Sequence, residues 1–444
     1  MPSLPQPGSV TLYEINRVLV TAESNADDRA NEVSGSILGM QFNPVPFEPR
    51  KLDATTVDSD TEMYRKTREE KIQGEGSVKA FIRKILRSVQ SLLYPTFENF
   101  LPALSLETVS WHRHKHIIAF VSGSNQITVY DYEGSEGKDA SILISEMQRD
   151  IKLLEWRPNS GKVLSVGCSG FLAIIAAGLS ANMGVVGFGA SPTLDDLALG
   201  LGTKWTLINF LQRNVGGPTT ALSWSPNGRY PNCSSFSVFD FAQGLGTPIR
   251  RGFAGISFLK WSPTGDYFFS SNFNGTFYIW ETNTWTSEPW SSSSGFVTSV
   301  AWDPDGRVLL LSFSGSSMLG SIHMASKPPS LDAHLLPVEL PDILSLAGSE
   351  GIEKIAWDSS GERLAVSFKS SNDLYKGLIA TYDVRRTPLL SASLIGFIRG
   401  PGDDPWPIAF AFHDKFKQGP LLSVCWSSGF CCTYPFIIGS HGHR

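Results

Sequence analysis

At 444 residues the chain exceeds what a single hydrophobic core usually supports, so it is either several domains or a fold that grows by repetition. A net charge of −5 with 18% charged residues gives no global attraction to nucleic acid. The five cysteines (Cys168, Cys233, Cys425, Cys431, Cys432) are odd in number and lack framework spacing, which argues against a disulfide scaffold and for a reducing compartment.

The chain opens with Met1-Pro2-Ser3-Leu4-Pro5, which lacks the charged-then-apolar order of a secretion signal. Residues 1–20 contain one strand pattern, Val10-Thr-Leu-Tyr-Glu-Ile15, read here as the strand that closes the last unit of the repeat described below. Residues 21–77 are polar and loop-rich. Residues 78–103 begin with an amphipathic helical pattern: Val78, Phe81, Ile82, Ile85, Leu86, Val89, Leu92 and Leu93 recur at three- and four-residue steps. Lys79, Phe81, Arg83, Lys84 and Arg87 make this segment a candidate partner-binding element. The simpler reading is that its apolar stripe packs on the main domain and its basic side chains face water.

From residue 104 to 438 one phrase recurs: a tryptophan, a turn containing Pro or Ser and usually Gly, then a hydrophobic run. Copies begin at Trp111, Trp156, Trp224, Trp261, Trp302 and Trp357, with a weaker seventh at Phe412. A period near 40–45 residues is that of a propeller blade of four strands. In the cleanest copy, Ile256 to Trp261 is a strand, Ser262-Pro-Thr-Gly265 a tight turn, Tyr267 to Ser271 the return strand, and Thr276 to Trp280 a third. The third strand ends on an aromatic–acid pair in several copies: Tyr130-Asp131, Phe239-Asp240, Trp280-Glu281 and Tyr382-Asp383. One blade cannot bury both faces of its sheet, so blades must stack in a ring. The expectation is an all-β, seven-bladed WD40-type β-propeller with an N-terminal helical segment and closing strand. The seven repeat aromatics form its repeat core, and residues 439–444 a tail. The Gly-His dipeptide that often opens such repeats is missing. The third copy is short, so its second strand, around Pro231-Asn-Cys233, is expected to be truncated. The stretches 178–202 and 325–351 read as insertions on the surface.

Residues 163–194 carry no charge, but the strongly apolar run within them lasts only about nine residues, short of the ~20 that a membrane-spanning helix needs. Chemistry is sparse. Gly184-Val-Val-Gly-Phe-Gly189 has neither the spacing nor the βαβ context of a dinucleotide loop, and no phosphate-loop or nucleophile-elbow motif occurs. His112, His114 and His116 alternate as metal ligands on one strand face would, but they occupy the position of the repeat turn. The expectation is a protein that is not an enzyme, with no catalytic residues, no metal and no cofactor.

Four phrases stand out: Val10-Thr-Leu-Tyr-Glu14, Thr298-Ser-Val-Ala-Trp-Asp-Pro-Asp-Gly306, Trp357-Asp-Ser-Ser-Gly-Glu-Arg-Leu-Ala-Val366, and Phe412-His-Asp-Lys-Phe-Lys-Gln-Gly-Pro-Leu-Leu-Ser-Val-Cys-Trp426, the last two going beyond generic WD repeats. With these the chain resembles the Aladin family of WD-repeat nucleoporins. The resemblance implies a non-enzymatic scaffold of the nuclear pore complex at the nuclear envelope, supporting nucleocytoplasmic transport. Its implied partners are other nucleoporins, including a membrane-spanning nucleoporin that anchors it, so membrane association is indirect; nucleic acid is not contacted directly. The competing reading is a generic WD40 adaptor, such as the substrate receptor of a ubiquitin ligase.

Overall fold

In the computed structural model the described residues are 4–23, 32, 35, 38–47, 108–123, 125–133, 140–144, 148, 150–168, 171–177, 198–199, 205–212, 221–229, 231–233, 237–240, 245–248, 255–338, 340, 351–369, 374–387 and 390–437. Every secondary-structure element described among them is a β-strand. The chain divides into one unit of residues 1–49 and 105–444 and a second of residues 50–104, and the second lies outside the described residues.

The repeat phrase explains how each blade folds. In blade 4, strands Ile256–Trp261, Tyr267–Asn272, Thr276–Glu281 and Thr286–Ser291 pair antiparallel in chain order. Gly265 adopts φ +84° in the first turn, a conformation open to glycine at little cost, and its N–H donates to Ser262 O at 3.0 Å. Gly306 and Gly361 take the same role in blades 5 and 6. The aromatic of each copy closes the inner strand, and burying it contributes roughly 1.5–3 kcal/mol.

Six blades follow one another along the chain. Their inner strands are Val109–Trp111, Leu153–Trp156, Leu222–Trp224, Ile256–Trp261, Val297–Trp302 and Gly351–Trp357. A composite sheet built from both ends of the chain stands between blade 6 and blade 1. Its strands run in the order Val18–Ala22, Val10–Ile15, Phe430–Ile437, Leu421–Trp426, Pro407–Phe412. Neighbouring inner strands touch in sequence from blade 1 to blade 6, and Pro407–Phe412 touches both its neighbours, so the ring is closed.

The expectation of a seven-bladed propeller with an N-terminal helical segment is therefore corrected. There are six blades of successive strands and a composite sheet, and no helical segment is described. The reason lies in the seventh copy, which supplies only three strands and leaves Phe430–Ile437 with an open edge. Two N-terminal pieces cover that edge. Val10–Ile15 pairs in parallel with one end (Glu14↔Phe436, Ile15↔Ile437), and Val45–Pro46 pairs antiparallel with the other (Val45↔Cys431, Pro46↔Phe430).

Other differences are local. Pro231–Cys233 has three residues where the matching strand of blade 4 has six. The stretch 325–351, read as an insertion, contains the outer strand of blade 5, Ala333–Val338. Ala198–Leu199 returns from the 178–202 insertion to extend blade 1 against Ile142 and Leu143. The uncharged run from 163 holds the second and third strands of blade 2, Val163–Cys168 and Phe171–Ala177. No helix among the described residues is long and apolar enough to cross a membrane.

Candidate functional site

Trp111, Trp156, Trp224, Trp261, Trp302, Trp357 and Phe412 each end an inner strand, all are at least nine-tenths buried, and together they line a central channel of about 530 Å³. They serve as walls and wedges between blades. An inner strand has one edge that no strand of its own sheet pairs, and its buried N–H groups need acceptors. The preceding blade supplies them. Trp156 N–H donates to Ser110 Oγ (3.3 Å), Trp224 N–H to Glu155 Oε2 (3.0 Å), Trp261 N–H to Ser223 Oγ (3.1 Å) and Ile355 N–H to Ser299 Oγ (3.2 Å). Side chains one or three positions before the repeat aromatic thus tie blade to blade. Arg157 adds a guanidinium 5.5 Å from the Trp224 ring, and Lys354 an ammonium 5.5 Å from that of Phe410.

In five of the seven copies the residue after the aromatic caps the turn; in the second, Arg157 instead donates to Gly228 O of the next blade, and in the third Ser225 donates to Asn227, which accepts the turn N–H. Asp303 Oδ1 accepts from Arg307 and Val308 N–H, Asp358 Oδ1 from Arg363 N–H, and Ser262 Oγ from Tyr267 N–H. In the first and seventh copies a histidine takes this place. His112 Nδ1 accepts from His114 N–H at 3.2 Å, and His413 Nδ1 from Lys415 N–H at 3.0 Å. That is the role of His112, and it explains a histidine cluster in a turn. His413 also approaches His116 Nδ1 at 3.3 Å, while His116 Nε2 lies 3.3 Å from Glu133 Oε1. Trp111 and Phe416 pack on His413, and Tyr132 stacks on Trp111, forming the seam where the composite sheet meets blade 1. Burial, then the charge of His116, lowers the His413 pKa to about 4 despite a bond to Lys115 O. Among the described residues no three His, Cys, Asp or Glu side chains converge as a metal site.

On the other flank of the composite sheet a buried charge cluster fastens the N-terminal strand to blade 6. Arg363 donates through Nε and Nη2 to Glu14 (3.1 and 2.9 Å) and through Nη1 to Asp383 (2.8 Å), and Arg17 Nη2 reaches Asp383 Oδ2 at 2.8 Å. Burial alone would lower the Arg363 pKa, but its bonds to Glu14 and the charges of Glu14 and Asp383 more than reverse this. The acids at the ends of the third strands thus have other partners in place of the missing Gly-His network. Asp383 takes Arg363, Asp131 takes Lys162 of blade 2 at 2.9 Å, and Glu281 accepts from Asn283 and Thr284.

Lys79, Phe81, Arg83, Lys84 and Arg87 lie outside the described residues. The clasp was not singled out in the sequence, and of the seam only His116 was, as one of the three alternating histidines and not as a partner of His413. The clasp's one signal there is a charge inside an apolar strand phrase: Glu14 within Val-Thr-Leu-Tyr-Glu-Ile, and Arg363 before Leu-Ala-Val.

The aromatic-ended inner strands, the capped turns and the closed ring define a WD-repeat β-propeller. The WD domain, G-beta repeat family matches residues 246–281 and 286–324. Each match begins in or beside the outer strand of one blade and ends in the third strand of the next, so the sequence repeat is offset from the blade. Among solved structures, the β-propeller domain of Cps50 (Swd1) from Myceliophteria thermophila aligns with a TM-score of 0.54 at 13% identity. It covers 75% of this chain and 97% of that one. A chain of the mitotic checkpoint complex aligns with a TM-score of 0.54 at 14% identity, over 76% of this chain and 88% of its own. These likenesses concern the fold alone. The sequence itself is 57% identical to Aladin of Arabidopsis thaliana over 450 residues, 99% of each chain. The chain belongs to the Aladin family of WD-repeat nucleoporins.

Proposed function

We propose that the protein is a non-enzymatic scaffold subunit of the nuclear pore complex. It is held at the nuclear envelope by protein–protein contacts, including one with a membrane-spanning nucleoporin, and supports nucleocytoplasmic transport. The observation that carries this reading is the 57% identity to Aladin across essentially the whole of both chains. The fold supports it: the channel is walled by structural aromatics, and the polar groups around it bond blade to blade. Partners would then meet loops and faces of the ring. The basic residues Lys79, Arg83, Lys84 and Arg87 with Phe81 offer a second contact. Unchanged localisation after charge reversal at Arg83 and Lys84 would remove them from it. The test of the main reading is localisation of the tagged full-length chain together with co-purification of nucleoporins. A diffuse soluble pool with ubiquitin-ligase subunits as its partners would instead favour a general WD adaptor.

A further inference from the structure

The two faces of the ring differ. One carries the turns between first and second strands, the other the loops that enter inner and third strands. Nine large apolar side chains are exposed among the described residues, and five of them are at the second face: Met318, Leu374, Trp406, Ile408 and Phe430. Four of these sit on adjoining elements of blade 6 and the composite sheet, whose loops meet where Gly377 lies against Pro405 and Trp406. Trp406 and Ile408 are two residues apart at the start of an inner strand. Phe430 opens the third strand of the same sheet, and Leu374 lies on the adjoining loop of blade 6. Trp406 and Leu374 are each 58% exposed, and Trp406 is the one exposed tryptophan among the described residues.

The loop that presents Trp406 is built to hold still. A Cβ on Gly400 would stand 2.2 Å from the Trp426 indole, and one on Gly377 would stand 2.2 Å from Pro405 O, so both loops sit flush on their neighbours. Trp406 N–H donates to Ser427 Oγ at 3.0 Å and Ser427 N–H returns to Trp406 O at 2.9 Å. Just before it, Asp403 and Asp404 are exposed, and neither carboxylate has a partner among the described residues. Lys369 and Lys376 border the blade 6 loop and Arg399 heads the loop that carries Trp406, so the acidity is local to Asp403 and Asp404 beside Trp406 and is not a net charge of the whole face.

We propose that this patch docks a segment of a partner protein that carries an apolar side chain beside an arginine or lysine. The chemistry is complementary. Trp406 offers a π face to a cation and apolar area to its neighbour, the two carboxylates neutralise the cation, and the fixed loop keeps the ordering cost of binding low. This inference rests on the scaffold reading and adds the chemistry of one of its contacts.

The test uses the purified full chain and two fluorescein-labelled twelve-residue peptides, one alternating Arg and Leu, the other Glu and Leu. The Arg-Leu peptide is expected to bind and the Glu-Leu peptide not to. Trp406→Ala should weaken binding roughly tenfold or more, as truncating a central aromatic does. Asp403→Asn with Asp404→Asn should weaken it too and flatten its salt dependence. In cells, both variants should lose nucleoporins that the wild type co-purifies, with circular dichroism unchanged. Equal binding of the two peptides, indifference to Trp406→Ala, or conversion by Trp406→Ala of a wild-type dimer to a monomer would each overturn the patch. Full recovery of nucleoporins by both variants would also overturn it while leaving the scaffold reading in place. A wild-type chain absent from the nuclear rim would overturn the scaffold reading, and the peptide comparison would still decide the patch.

Discussion

Arg363 carries more consequence than any other single side chain outside the repeat aromatics. It is the buried cation between Glu14 and Asp383, and removing it leaves the Glu14 carboxylate desolvated without its cation and Asp383 with only the exposed Arg17. Arg363→Leu should therefore cost about 3–5 kcal/mol, read as a fall in the urea midpoint, whereas Arg17→Ala at the exposed end of the same cluster should cost under about 1 kcal/mol. His413 sets an acid limit. Its folded pKa, about 4, lies below the ordinary 6.5, so the unfolded chain binds the extra proton between these values. Stability from this residue is full above pH 6.5 and falls as pH drops toward 4, by roughly 3 kcal/mol in all. His112, lowered chiefly by burial, adds to the same trend. Urea unfolding from pH 7.5 to 4.5 should show this slope, and His413→Asn, which keeps a side-chain acceptor for the turn, should flatten it.

At the scale of elements, blade-to-blade bonding rests on a few hydroxyls. Ser223→Ala leaves the Trp261 N–H without its acceptor and should cost about 1–3 kcal/mol by denaturant unfolding. Ser→Ala at an exposed site such as Ser293 serves as the control. The elements also show what a sequence discloses. A strand–turn–strand unit is local, so Ile256 to Glu281 could be read residue by residue. The truncated Pro231–Cys233 followed from the short spacing between Trp224 and the third-strand phrase that begins at Phe236. The outer strand Ala333–Val338 was obscured because its pattern is weak: four successive residues are exposed and one of them is proline. The pairing of Ala198–Leu199 with blade 1 and the second cover of Phe430–Ile437, by Val45–Pro46, depend on contacts across an insertion or hundreds of residues apart, which no local period encodes. The same limit hid the candidate surfaces. The repeat aromatics recur at a fixed place in a local phrase, but the exposure of Trp406 has no such mark, since its Pro-Trp-Pro setting resembles any turn.

For the whole molecule, closure is the feature on which the rest depends. The composite sheet joins residues near both ends of the chain, with the histidine seam on one flank and the Arg363 clasp on the other. A ring held this way presents two faces and a channel lined by structural aromatics. The central claim is that this Aladin-family propeller works as a nuclear pore scaffold. The most direct measurement is fluorescence imaging of the tagged full-length chain, with nucleoporins identified by co-purification from the same cells. The account predicts a punctate nuclear rim and nucleoporins in the purified complex. A diffuse signal without nucleoporins, from a chain shown by circular dichroism to be folded, would contradict it.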